Sequence, residues 1–252
     1  MTTTGKSTRT VTRRRLPVVV ASVALLLGAA LVWRGAGDDP SLVPQMAPEP
    51  VTLSTGARLH VQKYEVTVAE WNTCHDRGGC ALRLQVRPGQ DARLTPATGL
   101  SHADAMEFVR WINDETGALF RLPTASEWRE IAQPVLPEKA DPTFTNPSLG
   151  WASAYLTEGN APRGLKPQGS FSTSPEGISD LDGSVWEWTR DCYAGTADPG
   201  PAGRCPAYFL GGEHVAAMSF LIRDPARGGC AVGTPPAHLG LRLVSDQTVQ
   251  RP

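Results

Sequence analysis

Two short strings constrain the fold of this chain more than any other feature of its 252 residues. The first is Arg-Leu-Pro-Thr-Ala-Ser-Glu-Trp at 121–128, and the second is Gly-Ser-Val-Trp-Glu-Trp-Thr at 183–189. In the first string, Thr124 and Glu127 form the pattern in which a hydroxyl and a carboxylate cap the start of a helix. Either string alone is a weak signal, but their order and separation together are specific.

Two longer helices are predicted from capping residues. Ser101 and Asp104 form a second capping pattern, with Asp in place of Glu, and open the best amphipathic stretch of the chain. Gly117 is placed to end that helix in a left-handed conformation. The helix that begins after Thr124 is expected to reach Ala132.

The remainder of the chain predicts short elements and many turns. Residues 63–67 alternate like a strand, and Thr67 is placed to cap a short helix that begins at Val68. Gly 25 and Pro 22 together are about a fifth of the residues, which is above the usual share. No long periodic segment follows Gly150, so a loop-rich domain is expected. The seven tryptophans are expected mainly in its core.

The N-terminus is typical of a membrane anchor. Arginines at 13–15 precede an uncharged run, Leu16–Trp33, which as a helix would span about 27 Å, close to the roughly 30 Å of a bilayer core. The arginines should stay cytoplasmic, which predicts a single-pass protein of the bacterial inner membrane with its domain on the periplasmic or extracellular side. A cleaved signal peptide stays open as the alternative, because the small residues 35–37 suit a cleavage site.

The composition of the segments on either side predicts where the globular domain begins and ends. We expect a basic cytoplasmic tail at 1–15, a proline-containing linker at 34–50, a globular domain at 51–244 and a frayed tail at 245–252. The net charge of −1 favours neither nucleic acid nor an acidic substrate. No nucleic-acid partner is therefore expected.

Export would place the five cysteines in an oxidising compartment. Two pairs close locally, Cys74 with Cys80 and Cys192 with Cys205, and each bridge would stabilise the fold by about 2–3 kcal/mol. Cys230 is then left over, either buried and inert or a free reactive thiol. Five cysteines also permit other pairings, which the sequence does not exclude.

The order of the motifs resembles the formylglycine-generating-enzyme, or sulfatase-modifying factor, superfamily. The resemblance covers about residues 60–244 and rests on the following segments: Tyr64–Thr67, the helix from Asp104, Arg121–Trp128, Gly169–Phe171, Gly177–Trp188, Gly211-Gly212, Arg223 with Arg227, and Gly240–Arg242. It implies an α+β fold related to C-type lectin domains, with little regular secondary structure.

One segment departs from the family pattern. The oxidising members resembled here hold copper through two cysteines between the Gly-Gly pair and the two arginines, because soft thiolates suit Cu(I). In this chain that segment, 213–222, contains no cysteine. His214 and Met218 are four residues apart and would share a helical face, but ordinary packing is the simpler interpretation. The five histidines lack the spacing of an iron or zinc site, so neither copper nor iron is expected.

The resemblance implies one metal site, a structural Ca²⁺. By position its ligands would be Asp180, the backbone carbonyls of Gly183 and Val185, and Glu187, directly or through water. Hard oxygen donors from a tight glycine turn are what Ca²⁺ prefers. The alternative is a turn held by an Asx-type hydrogen bond without metal.

Other motif residues are interpreted as structural. Three arginines are expected to pair with nearby carboxylates in the interior, and three tryptophans are expected in the core. The arginines are Arg121, Arg223 and Arg242, their candidate partners are Glu127, Glu187 and Asp191, and the tryptophans are Trp128, Trp186 and Trp188.

Three functions are compatible with these features. The first is an exported, membrane-anchored accessory protein that serves the maturation or assembly of an exported client enzyme, since the Cys74–Cys80 loop resembles exported members encoded beside periplasmic copper nitrite reductase. The second is a tailoring oxidoreductase with a non-cysteine site, as in cofactor-poor relatives in siderophore tailoring, with Glu213, His214 and Cys230 as candidate catalytic residues. The third is a sugar- or peptide-binding module, by analogy with lectins.

Overall fold

The computed structural model describes residues 1–2, 42–136, 164–193, 205–212, 216–225 and 237–249. All of the helices and strands below belong to one unit, Asp38–Pro252. Within the described ranges, no helix has the length and apolar character needed to cross a membrane. The predicted anchor Leu16–Trp33 lies outside those ranges.

The helices of the described ranges are α1 (Val68–Asp76), α2 (His102–Thr116) and α3 (Ala125–Ala132). The strands are β1 (Val51–Thr52), β2 (Arg58–Val61), β3 (Phe120–Arg121), β4 (Val185–Tyr193), β5 (Ala207–Gly211), β6 (Ala216–Ser219), β7 (His238–Gly240) and β8 (Val244–Ser245). They form a sheet in the order β1-β2-β8-β3 and another in the order β6-β5-β4-β7. Neighbouring strands are antiparallel except for the parallel pair β4 and β7. The architecture is therefore α+β, as expected.

Each of the three helices begins at a complete capping box. The N-cap hydroxyls of Thr67, Ser101 and Thr124 accept a backbone N–H three residues later, and the acidic side chain there accepts the N-cap N–H in return. This exchange satisfies two backbone donors that a helix end otherwise leaves unpaired. Gly117 ends α2 with φ 65°, which a residue without Cβ adopts freely. These predicted starts and the predicted end are confirmed.

Residues 63–66 are irregular, so the predicted strand at 63–67 was wrong. Their backbone groups bond to separate parts of the chain. Ser179 N–H donates to the Lys63 carbonyl at 2.9 Å, and Ala97 N–H donates to the Val66 carbonyl at 2.7 Å. Because each partner comes from a different loop, no continuous ladder forms.

The packed domain begins before residue 51. Val43 is 6% exposed, and the Ala47 N–H donates to the Val61 carbonyl at 2.8 Å. Residues 42–50, which fall in the predicted linker, therefore pack along β2. At the other end Ser245 is fully buried in β8, so the predicted tail also starts inside the domain.

The core is built around aromatic rings. All five tryptophans within the described residues are buried: Trp71, Trp111, Trp128, Trp186 and Trp188. The glycine pair at the end of β5 makes room for two of these rings, because a Cβ at Gly211 would overlap Trp128 and one at Gly212 would overlap Trp186. The expectation that Trp128, Trp186 and Trp188 belong to the core is confirmed.

Both predicted disulfides are present. Cys74–Cys80 links α1 to the loop that follows it, and Cys192–Cys205 links the end of β4 to the residues before β5. Each bridge thus closes a local loop. Cys230 lies outside the described residues.

Candidate functional site

A fully buried arginine from the last motif of the pattern hydrogen-bonds to residues of earlier segments. Arg242, which follows β7, is 1% exposed, and its Nε donates to Glu187 Oε1 at 2.9 Å. Its Nη1 donates to the carbonyls of Gln62 and Lys63 at 3.0 and 2.7 Å. Its Nη2 donates to the carbonyl of Ser179 at 2.9 Å. One guanidinium therefore ties β4 to the end of β2 and to the turn that precedes β4.

Glu187, between the two tryptophans of β4, is also 1% exposed. Its Oε1 accepts from Arg242, and its Oε2 accepts from Trp128 Nε1 at 2.7 Å. Of the three candidate partners, Arg242 thus pairs with Glu187, and both oxygens of that carboxylate are hydrogen-bonded. A buried pair of this kind specifies an arrangement more than it stabilises the fold, because both charges lose their water.

Glu65 brings another carboxylate to the same guanidinium without a hydrogen bond. Its Oε2 is buried, lies 3.7 Å from Arg242 Nη2 and has no hydrogen-bond partner. Burial raises the pKa of Glu65 to about 8, although the charge of Arg242 opposes the rise. The carboxylates of Glu187 and Asp180 raise this pKa further. Three carboxylates therefore share one guanidinium in this part of the interior.

Asp180 organises the turn to which the sequence assigns calcium. It is 3% exposed and has a left-handed backbone, φ 69°, a conformation that aspartate tolerates better than most residues. Its Oδ1 accepts the N–H of Phe171 at 2.9 Å, and its Oδ2 accepts the N–H of Gly169 at 2.5 Å. Its carbonyl accepts the Gly183 N–H at 2.9 Å. The two carboxylate bonds reach back 9 and 11 residues, so they are not the local Asx-type bond of the metal-free alternative.

The predicted calcium ligands fit the ion in part. Asp180 and Val185 line a cavity of about 10 Å³. Glu187 fits less well, because its two oxygens already accept from a guanidinium and an indole. Across the described residues, no group of three or more His, Cys, Asp and Glu side chains is arranged to hold a metal ion. Calcium at Asp180, Gly183, Val185 and Glu187 stays a prediction.

The segment that would carry copper-binding cysteines is partly a strand. β6 pairs with β5, and Met218 in it is 1% exposed. Packing of Met218, the simpler interpretation, is confirmed. Because Met218 lies in a strand and not in a helix, it does not share a helical face with the residue four positions earlier. The candidate catalytic residues Glu213, His214 and Cys230 lie outside the described residues.

The start of α2 packs against the end of this segment. The Ala103 N–H donates to the Phe220 carbonyl at 3.2 Å. Asp104 accepts from Arg223 Nε and Nη2 at 2.7 and 2.6 Å, and from the Ser101 hydroxyl at 2.6 Å. Although burial alone would raise the pKa of Asp104, the hydrogen bonds from Arg223 and Ser101 hold it below its ordinary value. One carboxylate therefore caps α2 and anchors the chain after β6.

Not every predicted arginine pair forms. Arg121 donates to Glu127 at 2.7 Å as predicted. Arg223 was expected to pair with one of the carboxylates in the two signature strings, and it pairs with Asp104 instead, because Ala103 and Phe220 hold the two segments together. Asp191 accepts a backbone N–H at the start of α3.

His102, the first residue of α2, is buried without full hydrogen bonding. Its ring stacks on Tyr208 with centroids 3.4 Å apart and meets Trp188 edge-on at 5.6 Å. Its Nε2 has no hydrogen-bond partner. Burial lowers the pKa of His102 to about 4, against the effect of a hydrogen bond with the backbone of Thr189. The imidazole is therefore neutral at pH 7.

A polar cavity of about 220 Å³ lies beside the end of β2 and the start of α1. Gln62, Tyr64 and Gln168 form part of its wall. Gln62 is 2% exposed, and its Oε1 accepts the Leu243 N–H at 3.1 Å. Carboxamides offer donors and acceptors without net charge, and Glu70 and Arg93 add one charge of each sign to the wall, so the cavity is polar throughout.

The sequence did not predict the roles of Glu65 and His102 or this cavity. Glu65 carries a weak signal, since it stands among the apolar and threonine residues of the string 64–67. His102 carries none, because a histidine after a capping serine usually faces solvent. The cavity depends on contacts between distant segments, which no local pattern reveals.

Comparison with known proteins agrees with the motif order. Residues 11–247 match the family described as the sulfatase-modifying factor enzyme 1-like domain. The formylglycine-generating enzyme of Mycobacterium tuberculosis (strain ATCC 25618 / H37Rv) is 25% identical over 177 residues, or 60% of this chain and 57% of that enzyme. The chain thus spans less than two thirds of that relative.

The chain is also similar to solved structures at low sequence identity. PvdO from Pseudomonas aeruginosa has a TM-score of 0.50 at 18% identity, covering 75% of this chain and 80% of that chain. The Treponema denticola variable protein 1 has a TM-score of 0.48 at 16% identity, covering 81% and 91%. At such identity the likeness to PvdO supports the fold alone. The match over residues 11–247 decides the family: the chain belongs to the sulfatase-modifying factor enzyme 1-like family.

Proposed function

We propose that this chain is a non-oxidase member of its family, which serves the maturation or assembly of an exported client enzyme or acts as a binding module. The observation that carries the proposal is the absence of cysteine from residues 213–222. A copper-dependent oxidase of the resembled type needs two thiolates there. Ala216 and Met218, which the structure describes in that segment, are buried apolar side chains of β6.

The proposed location is the bacterial inner membrane, with Leu16–Trp33 as the anchor and the domain on the periplasmic or extracellular side. The length and apolar character of that run support an anchor. The two disulfides support export, because such bridges persist mainly in oxidising compartments. A structural Ca²⁺ near Asp180 is part of the same proposal.

The polar cavity supports a binding role. Its volume of about 220 Å³ is below that of a typical drug-sized site, so it would take one short side chain or one sugar unit. Gln62 Oε1 already accepts from Leu243, and Gln168 Nε2 already donates to the Glu65 carbonyl. A ligand would therefore meet the remaining carboxamide atoms together with Glu70 and Arg93. A segment of the client protein or its glycan is the class of ligand that these walls fit.

The experiment that tests the proposal measures metal and turnover on the full-length chain, purified from membranes of an oxidising compartment. Copper and iron content, free thiols and oxygen consumption with a cysteine-containing peptide would be recorded beside the mycobacterial formylglycine-generating enzyme. We expect substoichiometric copper and iron, one free thiol per chain and no peptide-dependent oxygen consumption. Stoichiometric copper or iron, or turnover of the peptide, would overturn the proposal.

The rival function is a tailoring oxidoreductase whose site is built without the cysteine pair. Its candidate residues are Glu213, His214 and Cys230. Glu213→Gln, His214→Gln and Cys230→Ser should leave maturation of a client unchanged under our proposal, as should the matched surface change Glu49→Gln. Loss of maturation in the first three variants alone would favour the rival.

A further inference from the structure

An extended segment, residues 82–87, lies beside α1 and belongs to neither sheet. Its side chains alternate in exposure. Leu82 and Leu84 are half-buried against the core, whereas Arg83 and Gln85 are exposed. This alternation is that of a β-strand with one face on the core and the other in solvent.

Side chains of α1 take the place of a neighbouring strand along one edge of the segment. Trp71 Nε1 donates to the Leu82 carbonyl at 2.7 Å. The Asn72 carboxamide donates to the Leu84 carbonyl at 3.0 Å and accepts the Leu84 N–H at 2.9 Å. One carboxamide therefore pairs both backbone groups of Leu84, as a residue of an adjacent strand would. The segment is thereby held extended without a second strand.

The opposite edge of the segment has no neighbour. Backbone groups of successive residues point to opposite edges of a strand, so those of Arg83 and Gln85 are directed away from α1. Among the residues that the structure describes, the N–H and carbonyl groups of Arg83 and Gln85 make no hydrogen bond. Two donors and two acceptors thus stand in the order that a further strand requires.

The charge of the segment indicates which kind of strand it accepts. Residues 81–90 carry two arginines and no carboxylate. Arg83 pairs with Asp76 at the surface, whereas Arg87 is exposed and makes no ion pair within the described ranges. Opposite charges on facing strand positions attract, and like charges repel. A strand with carboxylates is therefore favoured over a second copy of this segment.

We propose that residues 82–87 bind an extended acidic segment of the client by strand addition, with Arg83 and Gln85 supplying the backbone hydrogen bonds. In this mode the main chain gives affinity and alternate side chains give selectivity. Arg83 and Arg87 lie on one face four residues apart, so the matching segment carries two carboxylates at that spacing. The inference rests on the proposed function, since it states how the client is held. The surface is separate from the polar cavity, to whose wall residues 82–87 do not contribute.

The experiment measures binding of a fluorescein-labelled peptide, Thr-Glu-Val-Thr-Val-Glu-Thr, to the full-length chain by fluorescence anisotropy. The peptide has glutamates four residues apart and no cysteine, so binding is measured independently of oxidase turnover. We expect saturable binding that becomes at least about tenfold weaker when lysine replaces both glutamates. N-methylation of alternate backbone nitrogens should abolish binding for one set of positions and preserve it for the other, because only one set faces the edge.

Two substitutions at one position separate the backbone from the side chain. Gln85→Pro removes an outward N–H from a conformation that proline tolerates, and it should weaken binding at least about tenfold. The matched variant Gln85→Ala keeps that N–H and should bind like the wild type. Arg87→Glu should reverse the charge preference, so that the lysine peptide binds more tightly than the glutamate peptide.

Three results would overturn the proposal. The first is no saturable binding to the wild-type chain, and the second is equal binding of the two methylated sets, since a strand bonds through one edge. The third is a dimer of the chain that dissociates in Gln85→Pro, which would assign the edge to a second copy. The methylated peptides decide the matter on the wild-type chain even where near-UV circular dichroism shows Gln85→Pro to be unfolded. Copper content and oxygen consumption test the proposed function separately, so the two failures are distinguishable.

Discussion

The interior around Arg242 and the start of α2 both pair an arginine with carboxylates, but in different environments. The side chains of Arg242 and Glu187 are each 1% exposed, whereas Arg223 is 52% exposed beside Asp104 at 4%. In the interior a lost partner leaves a buried charge that water cannot reach. At α2, the half-exposed Arg223 lies where water can enter if the arginine is removed, and Asp104 keeps its hydrogen bonds from Ser101. The same pairing chemistry therefore constrains the sequence strongly at one place and weakly at the other.

The two regions draw on different parts of the chain. The interior depends on the signature strings 121–128 and 183–189 and on Gly240–Arg242. The start of α2 packs on the segment after β6, next to the residues 213–222 that depart from the oxidase pattern. Among the described contacts, the side chain of Arg242 donates to residues outside that segment.

Arg242→Met gives the most severe test of the interior. The substitution removes the cation that faces Glu65 and Glu187. It also removes hydrogen bonds to three backbone carbonyls, of which that of Lys63 still accepts from the Ser179 N–H. We expect a loss of about 3–5 kcal/mol in the free energy of unfolding, measured by guanidinium denaturation of the full-length chain. Arg242→Lys should lose most of the same amount, because an ammonium group cannot span the sites of the planar fork. A loss below about 1 kcal/mol in either variant would show that the interior tolerates change as the surface does.

Gly211→Ala tests whether the interior is also rigid in its packing. A Cβ at this position would overlap the Trp128 ring, which hydrogen-bonds to Glu187 and cannot move without breaking that bond. Overpacking of this kind destabilises by about 1–3 kcal/mol, and thermal unfolding would show it as a lower Tm. The matched control is Gly164→Ala, where nothing lies within 4 Å of the added atom. If Gly211→Ala lowers the Tm no more than Gly164→Ala does, the Trp128 ring moves freely and the interior is not close-packed.

The two regions also differ in how well the sequence predicts them. The caps at Thr67, Ser101 and Thr124 and the end of α2 at Gly117 were predicted because each depends on residues within one turn of helix. For Arg242 the sequence predicted only a partner among Glu127, Glu187 and Asp191, because a motif order does not say which distant side chains meet.

What the sequence could not predict depends on contacts between distant segments. Arg223 reaches Asp104 across 119 positions, and a helix-capping aspartate gives no sign of a second partner. The string at 63–67 alternates like a strand, but its carbonyls are taken by Arg242 and by loop N–H groups. Glu65 has the same pattern as an ordinary strand residue, and only its burial near Arg242 and Asp180 distinguishes it.

His102 supplies a pH test at the start of α2. Burial lowers its pKa from 6.5 to about 4, so protons bind the unfolded chain more readily than the folded one. Its contribution to stability is complete above pH 6.5 and is lost as the pH falls from 6.5 to about 4. We expect a decline of about 3 kcal/mol over that range, measured by urea denaturation at each pH.

His102→Phe isolates this contribution, since it keeps a ring on Tyr208 and removes a nitrogen that has no partner. The profile of the variant between pH 6.5 and 4 should be flatter than that of the wild type. Asp104 and Glu127 have lowered pKa values and lose their contributions in acid as well, so a residual decline at the lower end is expected. Identical profiles for variant and wild type would show that the imidazole is solvated at this end of α2.

Arg223→Met should have the smallest effect, although Arg223 makes two hydrogen bonds of 2.6 and 2.7 Å. Its side chain is 52% exposed, so solvent screens the pair, and we expect a loss of about 0–1 kcal/mol in the free energy of unfolding. Asp104→Asn should lose about 1 kcal/mol more than Arg223→Met, because it also weakens the capping box of α2. The two variants would be compared by urea denaturation at low salt and at about 1 M NaCl, because urea is uncharged. Only the contribution of the arginine should shrink at high salt. A loss in Arg223→Met as large as that in Arg242→Met would mean that bond length, and not burial, sets the strength of these pairs.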